Sequence, residues 1–538
     1  MTQIDYLLHR LNELNAIGSA LSSERDINRL LETILLAAKR ITNADAGTVY
    51  LVEPEQKLIK FEAVRNDTVG IAMGGTTGTA VPFLPIRMLD DHGKPNHAMV
   101  VAHAALTGET VNIPDAYAAA GFDFAGTKNF DQMTGYRSTS FLTVPMRDYD
   151  NEIIGVLQLI NALDRDTGAI AAFTQDDTHL VESLASQAAI ALTNRSLIRQ
   201  MEELFESFIG LINTAIDDKS PYTGGHCQRV PVLTMLLAEA VGRIERAPPL
   251  ENFEMTEQRR YELKIAALLH DCGKVTTPVH VVDKATKLQT IYDRIHLIDT
   301  RFEVLKRDAE IAMLRALQQA DADPAQIHAD FEARIRQLHD DRDFLRASNI
   351  GSEKMSEADQ ARVRGIAAYS WCDETGQQSN FLSADELENL NIPYGTLTAP
   401  ERQIINRHMD LTIKMLESLS WPRHLKNVPE FAGGHHERMD GKGFPKGLTR
   451  EQMSVQARIM GIADIFEALT AKDRPYKKGK TLSESLAILG RMKLGNHIDP
   501  DLFDIFVREK VYMTYAHQFL DAEQIDEVDL NKIPGFQL

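Results

Sequence analysis

Cysteine is nearly absent: three in 538 residues, Cys227, Cys272 and Cys372, at no paired spacing. That excludes a disulfide framework and fits a reducing compartment. Basic residues are outnumbered, 58 Lys and Arg against 77 Asp and Glu, for a formal net charge of −19. A field of that sign repels polyanions. It argues against a nucleic-acid polymer or an anionic membrane as partner and leaves room for a local basic site. No uninterrupted apolar run reaches the ~18 residues needed to span a bilayer. The opening "MTQIDYLLHRLNELNAIG" is charged and amphipathic, unlike a signal peptide. A cytoplasmic protein is expected.

What is present is a globular composition, 43% hydrophobic and 25% charged, in a chain too long for one core. Leu7, Leu11, Leu14 and Leu21 are spaced as a helix seam, and "INRLLETILLAAKRITNA" follows as an amphipathic helix. "GTVYLV" and "LIKFEAV" flank the turn "EPEQK" as a β-hairpin. "STSFLTVPMRD" and "EIIGVLQLINAL" are two further strands. Helices outside and antiparallel strands between them give an α+β domain over roughly 1–180. From Asp176 to Ile212 there is no proline and no glycine except Gly210. Apolar residues recur there at Leu184, Ala191, Ile198, Met201, Phe205, Phe208 and Ile212, interrupted by Gln187 and Asn194. A connecting helix over 181–215 that pairs with its copy in a homodimer is expected; the plainer alternative is a helix packed on its own domain. Residues 216–538 read as helical, with a charged block over about 282–400 expected to be an inserted helical hairpin.

The second half holds the chemistry. His226 lies in "YTGGHCQRV", His270 and Asp271 in "LLHDCGK", His408 in "IINRHMDL", and His435 and His436 in "GGHHERMDGKGFP". Asp464 is an acid inside an apolar helix, "MGIADIFEAL". Each alone has a structural explanation; His408 taken singly reads as a satisfied core histidine. Five imidazoles and two carboxylates among core-like helices are costly to bury unless paired or metal-bound. Neutral imidazole and carboxylate are the usual ligands of catalytic divalent transition metals.

Taken in order, "HD" then "GK", "HHE" then "DGKGFP", "ADIFEALTAKDRPYKK", "YTGGHCQRV" and "HIDPDLFDIF" resemble the HD-GYP family of metal-dependent phosphodiesterases, over about 205–281 and 401–525. The resemblance implies a helical domain over 216–538 that hydrolyses a cyclic dinucleotide. Cyclic di-GMP comes first, cut to linear pGpG or GMP; cyclic GMP-AMP, another nucleotide, or a non-catalytic receptor are the alternatives. It implies two divalent transition-metal ions, iron or manganese. One would be held by His226, His270, Asp271 and Asp464, and the other by His408, His435 and His436, with Asp271 bridging. Lys274, Arg474 and Lys477 would bind phosphate, and Gly441 and Gly443 would let the backbone approach the substrate. Asp271 and Lys274 would carry the catalysis. Between Arg438 and Lys480 ten Lys and Arg face five Asp and Glu, against the trend of the chain. The motif tyrosine is Phe444 here, Pro231 falls inside the first helix, and Tyr222 stands where members with a third metal have a glutamate.

The first domain is similar to a GAF domain. "TGETVNIPDAY", "TGYRSTSFLTVPMRD" and "GVLQLINAL" resemble the GAF domains of cyclic nucleotide phosphodiesterases. Of their spaced Asn-Lys-Phe-Asp-Glu set, Asn161, Phe173 and Asp177 are present, and Ala162 replaces the lysine. A small-molecule ligand and a purely structural or dimerising domain both stay open.

Overall fold

The computed structural model describes residues 15–24, 26–219, 225–244, 250, 253–351, 354–373, 375–472 and 479–537. The chain divides into two compact units, 1–204 and 205–538.

In the first unit, helix Ile27–Thr42 starts where the Asp26 carboxylate accepts the Arg29 N–H at 2.9 Å, the usual N-cap arrangement. It stops at Asn43, whose φ of 53° ends the helical hydrogen bonding. Its apolar stripe, Leu31, Ile34, Leu35 and Ala38, is fully buried. The strands are β1 (Ala44–Glu53), β2 (Leu58–Asn66), β3 (Ile71–Gly74), β4 (Val111–Ile113), β5 (Phe141–Arg147) and β6 (Ile153–Leu163). They pair antiparallel in the order β3-β2-β1-β6-β5-β4, with two short strands at the margins. The expected hairpin is β1 and β2, and the other two expected strands are β5 and β6. Alternation along β6 sorts its side chains. Leu157 and Leu159 pack with the helix stripe, while Val156 and Ile160 point to the other face. Leu21 also packs into this core, so no leucine seam extends to it; Leu7, Leu11 and Leu14 lie outside the described residues.

Asn161 and Asp177 have structural partners. The Asn161 amide oxygen accepts from Thr139 N and Ser140 N, and its NH2 donates to the Tyr136 hydroxyl and the Arg137 carbonyl, tying β6 to the start of β5. Asp177 accepts from Thr174 N and Oγ1, and the Thr174 hydroxyl accepts from Asp177 N. That reciprocal capping box fixes the start of helix Gln175–Lys219.

The second unit is helical. Val230, Leu233 and Leu237 of helix His226–Arg243 pack with Ile459, Ile462, Ala463 and Phe466 of helix Val455–Thr470. The His226 helix runs through Pro231. Helices Glu257–Leu269, His408–Glu417 and Val428–Gly433 complete the part that carries the histidines. The 282–400 block is more than a hairpin. Helices Ile295–Leu317 and Pro324–Asn349 share a separate core, centred on Phe302, Leu338, Leu345 and Phe381, with helices Glu357–Ala367 and Ala384–Leu390. It also holds a two-stranded ribbon, Ser370–Cys372 with Gln378–Asn380. Three-residue strands are too short for alternation to show in sequence, and the Asp373 turn between them sets their pairing.

Candidate metal centre

The five sequence pieces that carry the histidines and aspartates meet. His226 opens its helix just after Gly225. His270 ends helix Glu257–Leu269, and Asp271 starts the tight turn that follows. His408 opens its helix, and Asp464 lies mid-helix. His435 and His436 sit in the turn after helix Val428–Gly433. Gly433 and Gly434 let that turn close: an added Cβ would lie 2.8 Å from Ile413 Cγ1 and from Ala457 Cβ.

The side chains form two adjoining clusters. His226, His270 and Asp464 make one, and Asp271, His408, His435 and His436 the other; within each, one ligand-capable atom per residue lies within 4.8 Å of the rest. Asp271 faces both. Its Oδ2 is 3.1 Å from His226 Nε2 and 3.2 Å from His270 Nε2, and its Oδ1 is 3.3 Å from His408 Nε2. Asp464 Oδ1 is 3.3 Å from His226 Nε2, and its Oδ2 is 3.8 Å from His436 Nδ1.

The tautomers follow from the backbone. His270, His408 and His435 each place Nδ1 on the carbonyl oxygen three residues earlier, Ala267, Ile405 and Ala432, at 2.7, 2.6 and 2.6 Å. A carbonyl only accepts, so each Nδ1 carries the hydrogen and each Nε2 presents a lone pair to the cluster. His408 Nε2, His435 Nε2 and Asp271 Oδ1 are buried without a hydrogen-bond partner among the described residues. Three acceptors turned toward one another cost ~1–3 kcal/mol each when nothing donates to them. A cation satisfies all three, so these residues fit a metal.

At His435 and His436 charge acts in the same direction, whereas at His226 burial is outweighed by the Asp271, Asp464 and Glu467 carboxylates, which push its imidazole up. Burial, with His436 and His270 close by, pushes the His435 imidazole well below its ordinary range. Burial likewise pushes His436 down to about 4. Both stay neutral, as ligands must. Burial opposes ionisation of Asp271, but the Lys274 ammonium beside it holds its carboxyl well below the usual range. Lys274 Nζ donates to Asp271 Oδ2, between the two clusters.

Sequence reading missed Glu467. It lies three residues past Asp464 on the same helix and is 1% exposed. Its Oε2 accepts the His226 Nδ1 hydrogen at 2.5 Å, and its Oε1 accepts from Arg229 Nε at 2.7 Å. The carboxylate turns His226 Nε2 toward Asp271 and Asp464. Glu467→Gln is expected to weaken metal binding ~10- to 100-fold with the helical circular dichroism intact. Competition against a chelating dye measures this, and an unchanged affinity contradicts the role.

The glycine-rich turn serves an internal purpose. At Gly443 a Cβ would lie 2.4 Å from Glu437 Cα and from Arg438 N, so the missing side chain is required by the protein's own backbone. Gly443 also lines the cavity beside the clusters, whereas Gly441, with φ of 73°, makes the turn. The buried Glu437 carboxylate accepts the N–H groups of Lys446, Gly447 and Leu448 at 2.7, 3.1 and 2.9 Å and pins the loop. The Phe444 ring lies on His436, centroids 4.9 Å apart and 30° from parallel. Arg474, Lys477 and Tyr222 lie outside the described residues.

The GAF domain family matches residues 26–192, and HD domain families match 223–343 and 384–502. The chain carries a GAF domain and an HD domain. The HD matches divide the seven clustered residues, with His226, His270 and Asp271 in one and His408, His435, His436 and Asp464 in the other. The chain is similar to a cyclic di-GMP phosphodiesterase of Pseudomonas aeruginosa, 40% identical over 119 residues, 22% of this chain and 27% of that protein. A 3'3'-cGAMP-specific phosphodiesterase of Vibrio cholerae is 42% identical over 81 residues, 15% of this chain and 19% of that one. A cyclic di-GMP phosphodiesterase response regulator of Xanthomonas campestris is 35% identical over 119 residues, 22% of this chain and 31% of that one. The chain thus covers under a third of the length of each of these relatives. Among the described residues no helix is long and apolar enough to cross a membrane.

Proposed function

We propose that the HD domain is a phosphodiesterase of the HD-GYP type that hydrolyses a cyclic dinucleotide, cyclic di-GMP foremost, to linear pGpG or on to GMP. The observation that carries this reading is Asp271, one buried carboxylate whose two oxygens face two separate histidine clusters. Two divalent ions, iron or manganese, fit these clusters: His226, His270, Asp271 and Asp464 for one, His408, His435, His436 and Asp271 for the other. When bound, such ions supply Lewis-acid charge and lower the pKa of water. The protein's part is positioning. Carbonyl-anchored imidazoles hold their lone pairs in place, and Lys274, Arg474 and Lys477 offset charge on the phosphoryl oxygens. A cavity of about 590 Å³ adjoins His408, His435, His436 and Asp464 and gives the substrate its place. Incubating the metal-loaded chain with a panel of cyclic dinucleotides and separating the products tests the reading. Linear or mononucleotide product that chelator abolishes is expected, and no turnover of any of them refutes it.

The GAF domain is read as the cytoplasmic regulator, taking a small molecule, in a homodimer. Support for the dimer comes from helix Gln175–Lys219. Of the seam expected from sequence, Leu184 is buried in the GAF core, whereas Ile198, Met201, Phe208 and Ile212 are exposed. Exposed with them are Ile190, Leu197, Leu204 and Leu211, seven apart, alternating with Asn194, Met201, Phe208 and Ala215. That is an unbroken 4-3 heptad row with a single asparagine at one core position, a device that fixes register in two-stranded coils. Leu197→Asp with Leu204→Asp is expected to dissociate the dimer, because the charges would be desolvated without partners. Light scattering that finds the native chain monomeric, or the variant still dimeric, contradicts it.

A further inference from the structure

The 282–400 insertion is fastened to the histidine-bearing part of the HD domain by a buried lysine. The Lys284 side chain is 1% exposed. Its Nζ donates to Glu401 Oε1 at 2.8 Å, to Glu401 Oε2 at 2.7 Å and to Asn389 Oδ1 at 2.7 Å. Asn389 belongs to helix Ala384–Leu390, whose Leu390 packs in the insertion's own core. The Lys284 carbonyl also accepts the Thr396 hydroxyl at 2.8 Å. Burial opposes ionisation of Glu401, but the hydrogen bond from Lys284 holds its carboxyl below the ordinary range.

Glu401 is the third residue of helix Ala399–Asn406 and closes its capping box with Thr398. Its Oε2 accepts the Thr398 N–H at 2.8 Å and the Thr398 hydroxyl at 3.0 Å. No residue of this helix is buried, so apolar packing supplies little of its anchorage. The charge-assisted bonds from Lys284 supply what packing does not. One turn after Glu401 comes Ile405, on the same face. The Ile405 carbonyl accepts the His408 Nδ1 hydrogen at 2.6 Å, and Ile405 and Asn406 line the cavity beside the clusters. A helical turn is stiff, so a shift at Glu401 is carried to the carbonyl that aims His408.

We propose that Lys284 is a positioning residue for the metal position at His408: it fastens helix Ala399–Asn406 to the insertion and so holds the His408 imidazole in place. The inference rests on the two-metal reading given above and gives the insertion a part in building the site. The effect is selective. His226, His270 and Asp464 are carried by other helices and have no link of this kind to Lys284 among the described residues.

The test is equilibrium dialysis of the full chain and its Lys284→Met variant against manganese. The native chain is expected to bind two ions. In the variant one ion is expected to keep its affinity and the other to bind ~10- to 100-fold more weakly, the scale of losing a group that orients a metal-ligating histidine. A second readout needs no metal. Hydrogen exchange in the metal-free variant is expected to quicken about ten-fold over 399–408 and to stay unchanged in helix Val455–Thr470. Lys284→Met with Glu401→Gln removes both charges, keeps a capping-box residue and leaves no buried charge unpaired. It serves as the test should the single variant not fold, and the same selective loss is expected. Unchanged binding of both ions, or equal weakening of both, in a folded variant overturns the proposal. A native chain that binds fewer than two ions refutes the two-metal reading, and the exchange comparison then decides by itself whether Lys284 holds the helix.

Discussion

Asp271→Ala is expected to empty both metal positions at once and to lower hydrolysis ~10³-fold or more, the scale of several kcal/mol of metal-derived stabilisation. The reason is geometric. Asp271 Oδ2 lies within 3.2 Å of His226 and His270, and Oδ1 within 3.3 Å of His408. Removing the carboxylate takes a ligand from each cluster and leaves Lys274 without its partner beside two clusters that hold five imidazoles. His435→Ala should behave differently. His435 belongs to one cluster only, so about half of the bound metal should remain while turnover still collapses. Elemental analysis beside steady-state kinetics distinguishes the two variants. Equal metal in both and in the native chain rejects the ligand assignment.

Gly273→Ala is expected to be a strongly damaging single-methyl addition in the HD domain. The new Cβ would lie 2.1 Å from the His408 carbonyl oxygen and 2.7 Å from Thr412 N and Oγ1. Two of those atoms are backbone and cannot swing aside. Gly273 N also donates to Thr412 Oγ1 at 2.9 Å, a buried bond that any outward shift breaks. The turn after Asp271 is thereby forced off the His408 helix. Overpacking plus the lost bond amounts to about 3 kcal/mol. The movement separates Asp271 from His408, so the ion between them is lost first. Chemical denaturation and metal content read the two effects. A variant of native stability with full metal content contradicts the packing account.

Much of this site could be read from the chain alone because its residues are out of place there. A histidine beside an aspartate at a helix end, paired histidines before a glycine-rich turn, and an acid in an apolar helix each break the local pattern. The strands of the GAF sheet were readable for the opposite reason: β1, β2, β5 and β6 are long enough for alternation to show. Glu467 was hidden because its partner His226 lies 241 residues away. On sequence it is one more acid on the Asp464 helix. The start of the helix seam was misplaced because Leu184 is as apolar as Leu197 and Leu204, and only burial shows that it serves the GAF core. Gly443 was assigned to the substrate, whereas the contact that demands a glycine is with Glu437 and Arg438. Local sequence names a residue that must be small but not the neighbour that requires it.

The central claim is that seven residues from two separated segments build one dinuclear centre around Asp271. Anomalous diffraction from crystals of the metal-loaded chain, collected on both sides of the metal edge, tests it most directly. Two peaks are predicted, one among His226, His270 and Asp464 and one among His408, His435 and His436, with the Asp271 carboxylate between them. A single peak, a third well-occupied peak, or peaks away from Asp271 would contradict the account.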